Sequence, residues 1–226
     1  MQKESNFLVR GAIFDMDGTL LDSMPIWEHF ASEYLSARGI LPPVGLDSAI
    51  ATFTLGEAAV YLCDTFSLPE TAEVIEAGLF ATADALYDRV LPKPGVPELL
   101  SLLAEAGVPM AVATMTDRPT VERTLGRLGL LSHFSHIFTC TEVGARKDTP
   151  VIYEAAREAL GTRREETLVF EDAWYAIKTA AEADFPVAAV YDGSRECRWE
   201  SARRVAAIPV RDFRAVPWER YLAQKS

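Results

Sequence analysis

The segment VRGAIFDMDGTLLDS, residues 9–23, runs from an apolar, strand-like stretch (Gly11 to Phe14) straight into two carboxylates, Asp15 and Asp17, and a turn at Gly18. Residues two apart on an extended chain point to the same side, so both carboxylates can face one pocket. Two acidic side chains at the end of a buried strand repel each other. The arrangement is tolerable chiefly where a cation or an incoming phosphate uses them. The plainer alternative is an acidic turn in which Gly18 supplies backbone freedom.

Outward from this segment the pattern changes. After Ser23, the residues Trp27, Phe30, Ala31, Tyr34 and Leu35 recur at helical spacing, with Pro25 in the first turn and Gly39 as the stop. A break at LPPVG (41–45) precedes helical runs over Gly56 to Phe66 and Glu70 to Tyr87, the latter with Ile75, Leu79, Ala83 and Leu86 on one face. PKPGV (92–96) reads as a linker, and beyond it helices alternate with the strands PMAVAT, Ile137 to Thr139, TLVFE and PVAAV. This predicts an α/β fold, a Rossmann-like parallel sheet with helices on both faces. The sheet domain takes residues 1–22 and 92–226, and an all-helical block, residues 23–91, interrupts it just after the first strand. Active sites of such sheets lie at the carboxyl ends of the strands. Four polar clusters fall at these ends or in the loops beyond them: Asp15 and Asp17, Thr114 with Met115, Lys147, and Glu171 with Asp172.

A chain of 226 residues with 49% hydrophobic content can bury a full core. Its formal net charge of -11 argues against nucleic acid as a partner, because that binding needs a positive field. An acidic protein that used the Asp15 and Asp17 pair on a phosphate would have to place its few cations locally. Cys63, Cys140 and Cys197 are far apart and form no C-x-x-C pair, so they read as thiols in a reducing compartment. MQKESNFLVR has no apolar signal core, and no apolar run approaches the roughly 18 to 20 residues that span a bilayer. The expectation is a cytoplasmic protein with no membrane partner, a monomer or weak homodimer.

The string FDMDGTLLDS resembles the first motif of the haloacid dehalogenase superfamily of hydrolases, whose phosphatases carry Asp-x-Asp-Gly-Thr. The helical block resembles the cap inserted after that motif in the phosphoglycolate phosphatase and β-phosphoglucomutase branch. The resemblance implies that Asp15 is a nucleophile taking a phosphoryl group and Asp17 a general acid and base. A carboxylate can form an acyl phosphate and so split one displacement into two, and a second carboxyl can protonate the departing alkoxide. Haloacid dehalogenases proper lack the second Asp. In ATMTDR the resemblance puts Thr114 at the phosphate-binding position, with Met115 in the same turn, while Thr116 or Asp117 can cap the following helix. In GARKDTP it makes Lys147 the cation that neutralises nucleophile and phosphate. Asp148 stands where the family's Lys-Pro-x-Pro string has its first proline, and Thr149-Pro150 reads as a helix start with Thr149 as cap. Arg146 reads as surface.

In VFEDAW the resemblance makes Asp172 a Mg2+ ligand together with Asp15 and the backbone carbonyl of Asp17, and Glu171 a ligand or the holder of a water. Mg2+ takes oxygen ligands and keeps several waters, which suits two or three carboxylates beside a phosphate. Ala173, Ala176 and Asp184 depart from the family's usual residues. The expected activity is Mg2+-dependent hydrolysis of a small phosphorylated metabolite. Sugar-phosphate mutases of this branch carry a His twelve positions after the nucleophile, where this chain has Trp27. A rival of another class is a non-enzymatic phosphoacceptor module, since receiver-type domains also combine acidic residues, a Thr and a Lys. They lack the helical insertion and the Gly-Thr after a second Asp. Within the cap, Trp27 and the loop Thr52 to Glu57, Thr54 above all, are the candidates for contact with the leaving group.

Overall fold

The structure is a computed structural model and describes residues 7–50, 53–194 and 197–222, without the side chains of Trp27 and Glu28. Six strands form one parallel sheet: β1 (Gly11–Phe14), β2 (Met110–Thr114), β3 (His136–Thr139), β4 (Thr167–Glu171), β5 (Val187–Val190) and β6 (Ile208–Val210), in the order β3-β2-β1-β4-β5-β6. β1 is central, with Ile13 beside Ala111 on β2 and beside Val169 on β4. β1, β2, β4 and β5 are buried throughout, as strands covered on both faces must be.

Alternation sends successive side chains into two separate cores. Ile13, Ala111, Ala113, Val169, Val187 and Ala189 share a buried cluster with Ile152, Tyr153, Ala156, Ile177 and Ala202. On the other face Phe14 stacks on Phe170 at 4.1 Å, and Phe134 and Trp218 close around the pair.

Two compact units make up the chain, Met1–Asp22 with Leu91–Ser226, and Ser23–Val90. The second is all helical: α1 (Met24–Ser36), α2 (Leu46–Ile50), α3 (Leu55–Phe66) and α4 (Ala72–Leu86), followed by a 3-10 turn at Tyr87–Arg89. Its buried residues include Phe30, Tyr34, Leu35, Leu62, Ile75 and Leu79. Gly78 is required where it stands, since a Cβ there would lie 2.5 Å from Cε2 of Tyr34. The Asp47 carboxylate ties α2 to α1 by accepting from the amides of Ala31 and Ser32. Thr54 caps α3 in a reciprocal box with Glu57.

In the sheet unit the helices are α5 (Val96–Glu105), α6 (Arg118–Arg127), α7 (Cys140–Val143), α8 (Val151–Leu160), α9 (Trp174–Glu182) and α10 (Trp199–Val205). The departing and returning chains run side by side there: Leu21 bridges Pro92 antiparallel, and Leu91 and Leu20 accept from the amides of Asp22 and Lys93. One expectation about local structure changes, and one strand is added. Pro150, not Thr149, occupies the N-cap position of α8, and the Thr149 hydroxyl donates instead to the Arg146 carbonyl, closing the turn before the helix. β6, which is too short to show in the strand pattern, forms the sheet edge beyond β5 and is preceded by α10.

Candidate active site

A parallel sheet brings the carboxyl ends of all its strands to one edge, and here neighbouring ends carry the polar residues. β1 ends into Asp15 and Asp17, β2 ends in Thr114, β4 ends in Glu171 followed by Asp172, and β5 leads to Asp192. β1 and β4 flank the point at which the strand order reverses, where a parallel sheet opens a crevice.

Asp15, Thr114, Lys147, Glu171 and Asp172 are all buried. The Lys147 ammonium sits between two carboxylates, bonded to Asp15 Oδ1 and, at 2.5 Å, to Glu171 Oε1. Glu171 Oε1 also accepts from the phenol of Tyr153 at 2.8 Å. The Thr19 hydroxyl donates to Asp172 Oδ1 at 3.0 Å. Asp17 is held differently, its Oδ2 accepting from the Thr116 hydroxyl at 2.5 Å. Thr114 Oγ1 accepts from the Thr116 amide at 3.1 Å, a use of the oxygen that leaves its own hydrogen to donate. Gly18 has φ +72°, and a Cβ there would lie 2.4 Å from Asp172 Oδ2, so glycine supplies both the turn and the room for that carboxylate.

Burial pushes the Asp15 carboxyl up; Lys147 pulls it back, while Glu171 and Asp17 add to the rise, for a net shift to about 8. Burial opposes the charge on Lys147, but Asp15 and Glu171 outweigh that and hold it above the ordinary lysine value. Asp172 is also raised well above the usual carboxylate range, first by burial and then by Asp15, Glu171 and Asp192. The site therefore has a deficit of positive charge. Carboxylate oxygens of Asp15, Glu171 and Asp172 lie within 4.8 Å of one another, a set of hard oxygen donors that could hold a metal ion. The thiols are poor candidates for nucleophiles, since burial raises both Cys140 and Cys197.

Of the residues singled out by sequence, Asp15, Lys147, Glu171 and Asp172 form one connected group, and the Asp17 side chain stands outside the three-carboxylate set. Asp117 caps α6, while Thr116 turns to Asp17. Met115 is half exposed and its sulfur accepts from the Tyr175 hydroxyl at 3.2 Å; Trp174 packs on the core. Arg146 is exposed. Thr54 is exposed, with its hydroxyl engaged in the helix cap, whereas Thr52 and the Trp27 side chain lie outside the described residues. Sequence reasoning passed over Thr19, Tyr153 and Asp192. Tyr153 was legible only as an apolar helix position. Asp192 lies two residues past the strand PVAAV, where the strand-end rule could have found it.

Among the described residues no helix is long and apolar enough to cross a membrane. The family model of haloacid dehalogenase-like hydrolases matches residues 9–184. The chain is 31% identical to phosphoglycolate phosphatase of Rhodobacter capsulatus, over 91% of its own length and 94% of that protein. It is 28% identical to a fructose-1-phosphate phosphatase of Escherichia coli K12, over 76% of this chain and 92% of that one. A Thermotoga maritima structure described as a β-phosphoglucomutase superposes with a TM-score of 0.77 at 23% identity, over 86% of this chain and 92% of that one, and so shares the fold. The non-enzymatic phosphoacceptor module gives way to these matches. The chain belongs to the haloacid dehalogenase-like hydrolases.

Proposed function

We propose that this hydrolase is a Mg2+-dependent phosphatase of a small phosphorylated metabolite, working through a phosphoaspartyl intermediate on Asp15. The observation that carries the reading is the position of Asp15, buried at the end of the central strand, paired with Lys147, and two residues from a second carboxyl that a different partner holds. The nucleophile and the proton donor are thus kept apart.

In this reading the Asp15 carboxylate attacks phosphorus, and the bond to the leaving oxygen breaks. Asp17 gives that oxygen its proton. Asp17, now a base, takes a proton from water, which attacks the acyl phosphate and returns Asp15. Lys147 balances negative charge on Asp15 and the transferring group, and Thr114 with the turn at Met115 offers donors to phosphate oxygens. Asp15, Asp172 and the Asp17 carbonyl would hold the Mg2+, with Glu171 as a further ligand or the holder of a water. The ion supplies charge neutralisation to the crowded carboxylates and the transferring group.

The two phosphatase relatives differ in the substrate they are named for, which supports a phosphorylated small molecule as the class. We assign the choice of leaving group to the unit Ser23–Val90 acting as a cap, because the core residues named here reach only phosphate, metal and the transferring oxygen. Trp27 at the position of the mutases' His favours hydrolysis over phosphoryl return. A cytoplasmic location accords with the three free cysteines. The test is a panel of phosphorylated metabolites scored for phosphate release with Mg2+ and with EDTA. Metal-dependent release from some members is expected, and no release from any, or equal release in EDTA, overturns the reading.

A further inference from the structure

Asp192 follows β5 and stands outside the motifs that carry the family resemblance. Its Oδ1 accepts from the Ser194 amide at 2.7 Å, which fixes the side chain in an Asx turn. The other oxygen, Oδ2, is buried without a hydrogen-bond partner. What it faces is a second acceptor. The carboxyl groups of Asp192 and Asp172 lie within hydrogen-bonding reach of each other, a contact that needs a proton or a cation between them. Both come to the space above Gly18: a Cβ built there would lie 2.4 Å from Asp172 Oδ2 and 3.1 Å from Asp192 Oδ2. A side chain would fill this cradle, and glycine leaves it open. Lys93 acts on both carboxylates through its charge, but the hydrogen bond its ammonium makes is to the Tyr191 carbonyl, at 3.0 Å.

A buried carboxylate oxygen without a donor costs several kcal/mol in general unless a cation or a proton meets it. Here what meets it is a second carboxyl, which has a donor to offer only while it holds a proton. Asp172 Oδ1 is already engaged by Thr19, so the oxygen turned toward Asp192 is the one left for other partners.

We propose that Asp192 is a further carboxylate of the metal centre, a positioning residue that acts beside Asp172 on a divalent cation through that cation's water shell. This rests on the Mg2+ reading given above. Mg2+ gives up its waters reluctantly, so an acceptor just beyond the directly bonded oxygens has a bound water to receive from. Partners at this distance set metal affinity by about 10- to 100-fold.

The experiment is calorimetric titration of the metal-free protein with Mg2+ alone, for the wild type, Asp192→Asn and the surface control Asp212→Asn, with thermal midpoints in EDTA alongside. Asp192→Asn keeps the shape and removes the charge. The expected result is a Kd for Mg2+ raised about 10- to 100-fold in Asp192→Asn and unchanged in Asp212→Asn. The metal-free midpoint of Asp192→Asn is expected to equal or exceed that of the wild type, because a repulsion with Asp172 has been relieved. A Kd within about twofold of wild type would overturn the assignment and leave the metal reading standing. A lower metal-free midpoint, or failure to fold, would make Asp192 a structural anion instead and overturn it too. Absence of Mg2+ binding by the wild type removes the metal reading itself, and the proposal with it.

Discussion

Lys147→Met replaces a buried ammonium by an apolar side chain of similar length and leaves its two carboxylate partners in place. In the folded protein Asp15 and Glu171 both lean on that single cation. Removing one member of a buried ion pair costs about 3–5 kcal/mol, and with two carboxylates orphaned the upper part of that range is expected. That is a large share of the roughly 5–15 kcal/mol by which a domain is stable. The pH dependence has a definite sign. The Asp15 carboxyl is raised from 3.8 to about 8 even with Lys147 beside it, so without the lysine its folded value moves higher still. A carboxyl raised on folding contributes stability that is fully present below its unfolded value and is lost as pH rises through its folded value. The Asp15 part of the Lys147→Met deficit should therefore be small near pH 4 to 5 and open only as pH rises above about 8, where the wild-type carboxyl ionises beside its lysine and the variant's does not. Urea denaturation in EDTA at the two pH values measures it, and saturating Mg2+ should restore part of the loss by binding the folded state alone. Equal midpoints for variant and wild type well above pH 8 in EDTA, or a deficit that does not shrink in acid, would refute the charge balance drawn for this site.

Tyr153→Phe removes the hydroxyl that donates to Glu171 at 2.8 Å and should cost about 1–3 kcal/mol in the urea midpoint, with little effect on packing. EDTA should silence the enzyme reversibly, with Mg2+ restoring phosphate release and Ca2+ doing so poorly because it prefers more ligands in a looser shell. Thr54→Ala breaks the capping box of α3 and should lower stability by about 1 kcal/mol in thermal or urea melts. Trp27→Ala should change kcat/KM unequally across metabolites while sparing a generic ester such as p-nitrophenyl phosphate; equal losses on every substrate would remove it from leaving-group selection.

The parts of this molecule that were legible in its sequence are those governed by period and position. The alternation after Val96 carried β2 to β5, because buried parallel strands are short apolar runs between amphipathic helices. The strand-end rule points to Asp15, Thr114, Lys147 and Glu171 from the sequence alone. Side-chain partnership was not legible. Whether Thr116 caps α6 or reaches Asp17 depends on where two loops meet in space, and the structure gives the cap to Asp117 and the hydroxyl to Asp17. Tyr153 sits on an apolar helix face and differs from a packing residue only by one oxygen that happens to meet Glu171. Thr149 looked like a cap by residue type, yet Pro150 holds that position and the threonine closes the turn before it. β6 is three residues long with a proline in its centre, too short for a periodic signal, and its edge position is what tolerates the proline.

The most direct measurement on the central claim is acid quenching of the enzyme during turnover of p-nitrophenyl phosphate with Mg2+, followed by peptide mass mapping, in the wild type and in Asp15→Asn. The amide is nearly isosteric with the carboxylate and cannot act as the nucleophile. A single phosphoryl group is expected on the peptide containing Asp15 in the wild type, none in EDTA, and neither adduct nor turnover in a folded Asp15→Asn. A phosphoryl group on another residue, or substantial phosphate release by metal-loaded Asp15→Asn, would contradict it.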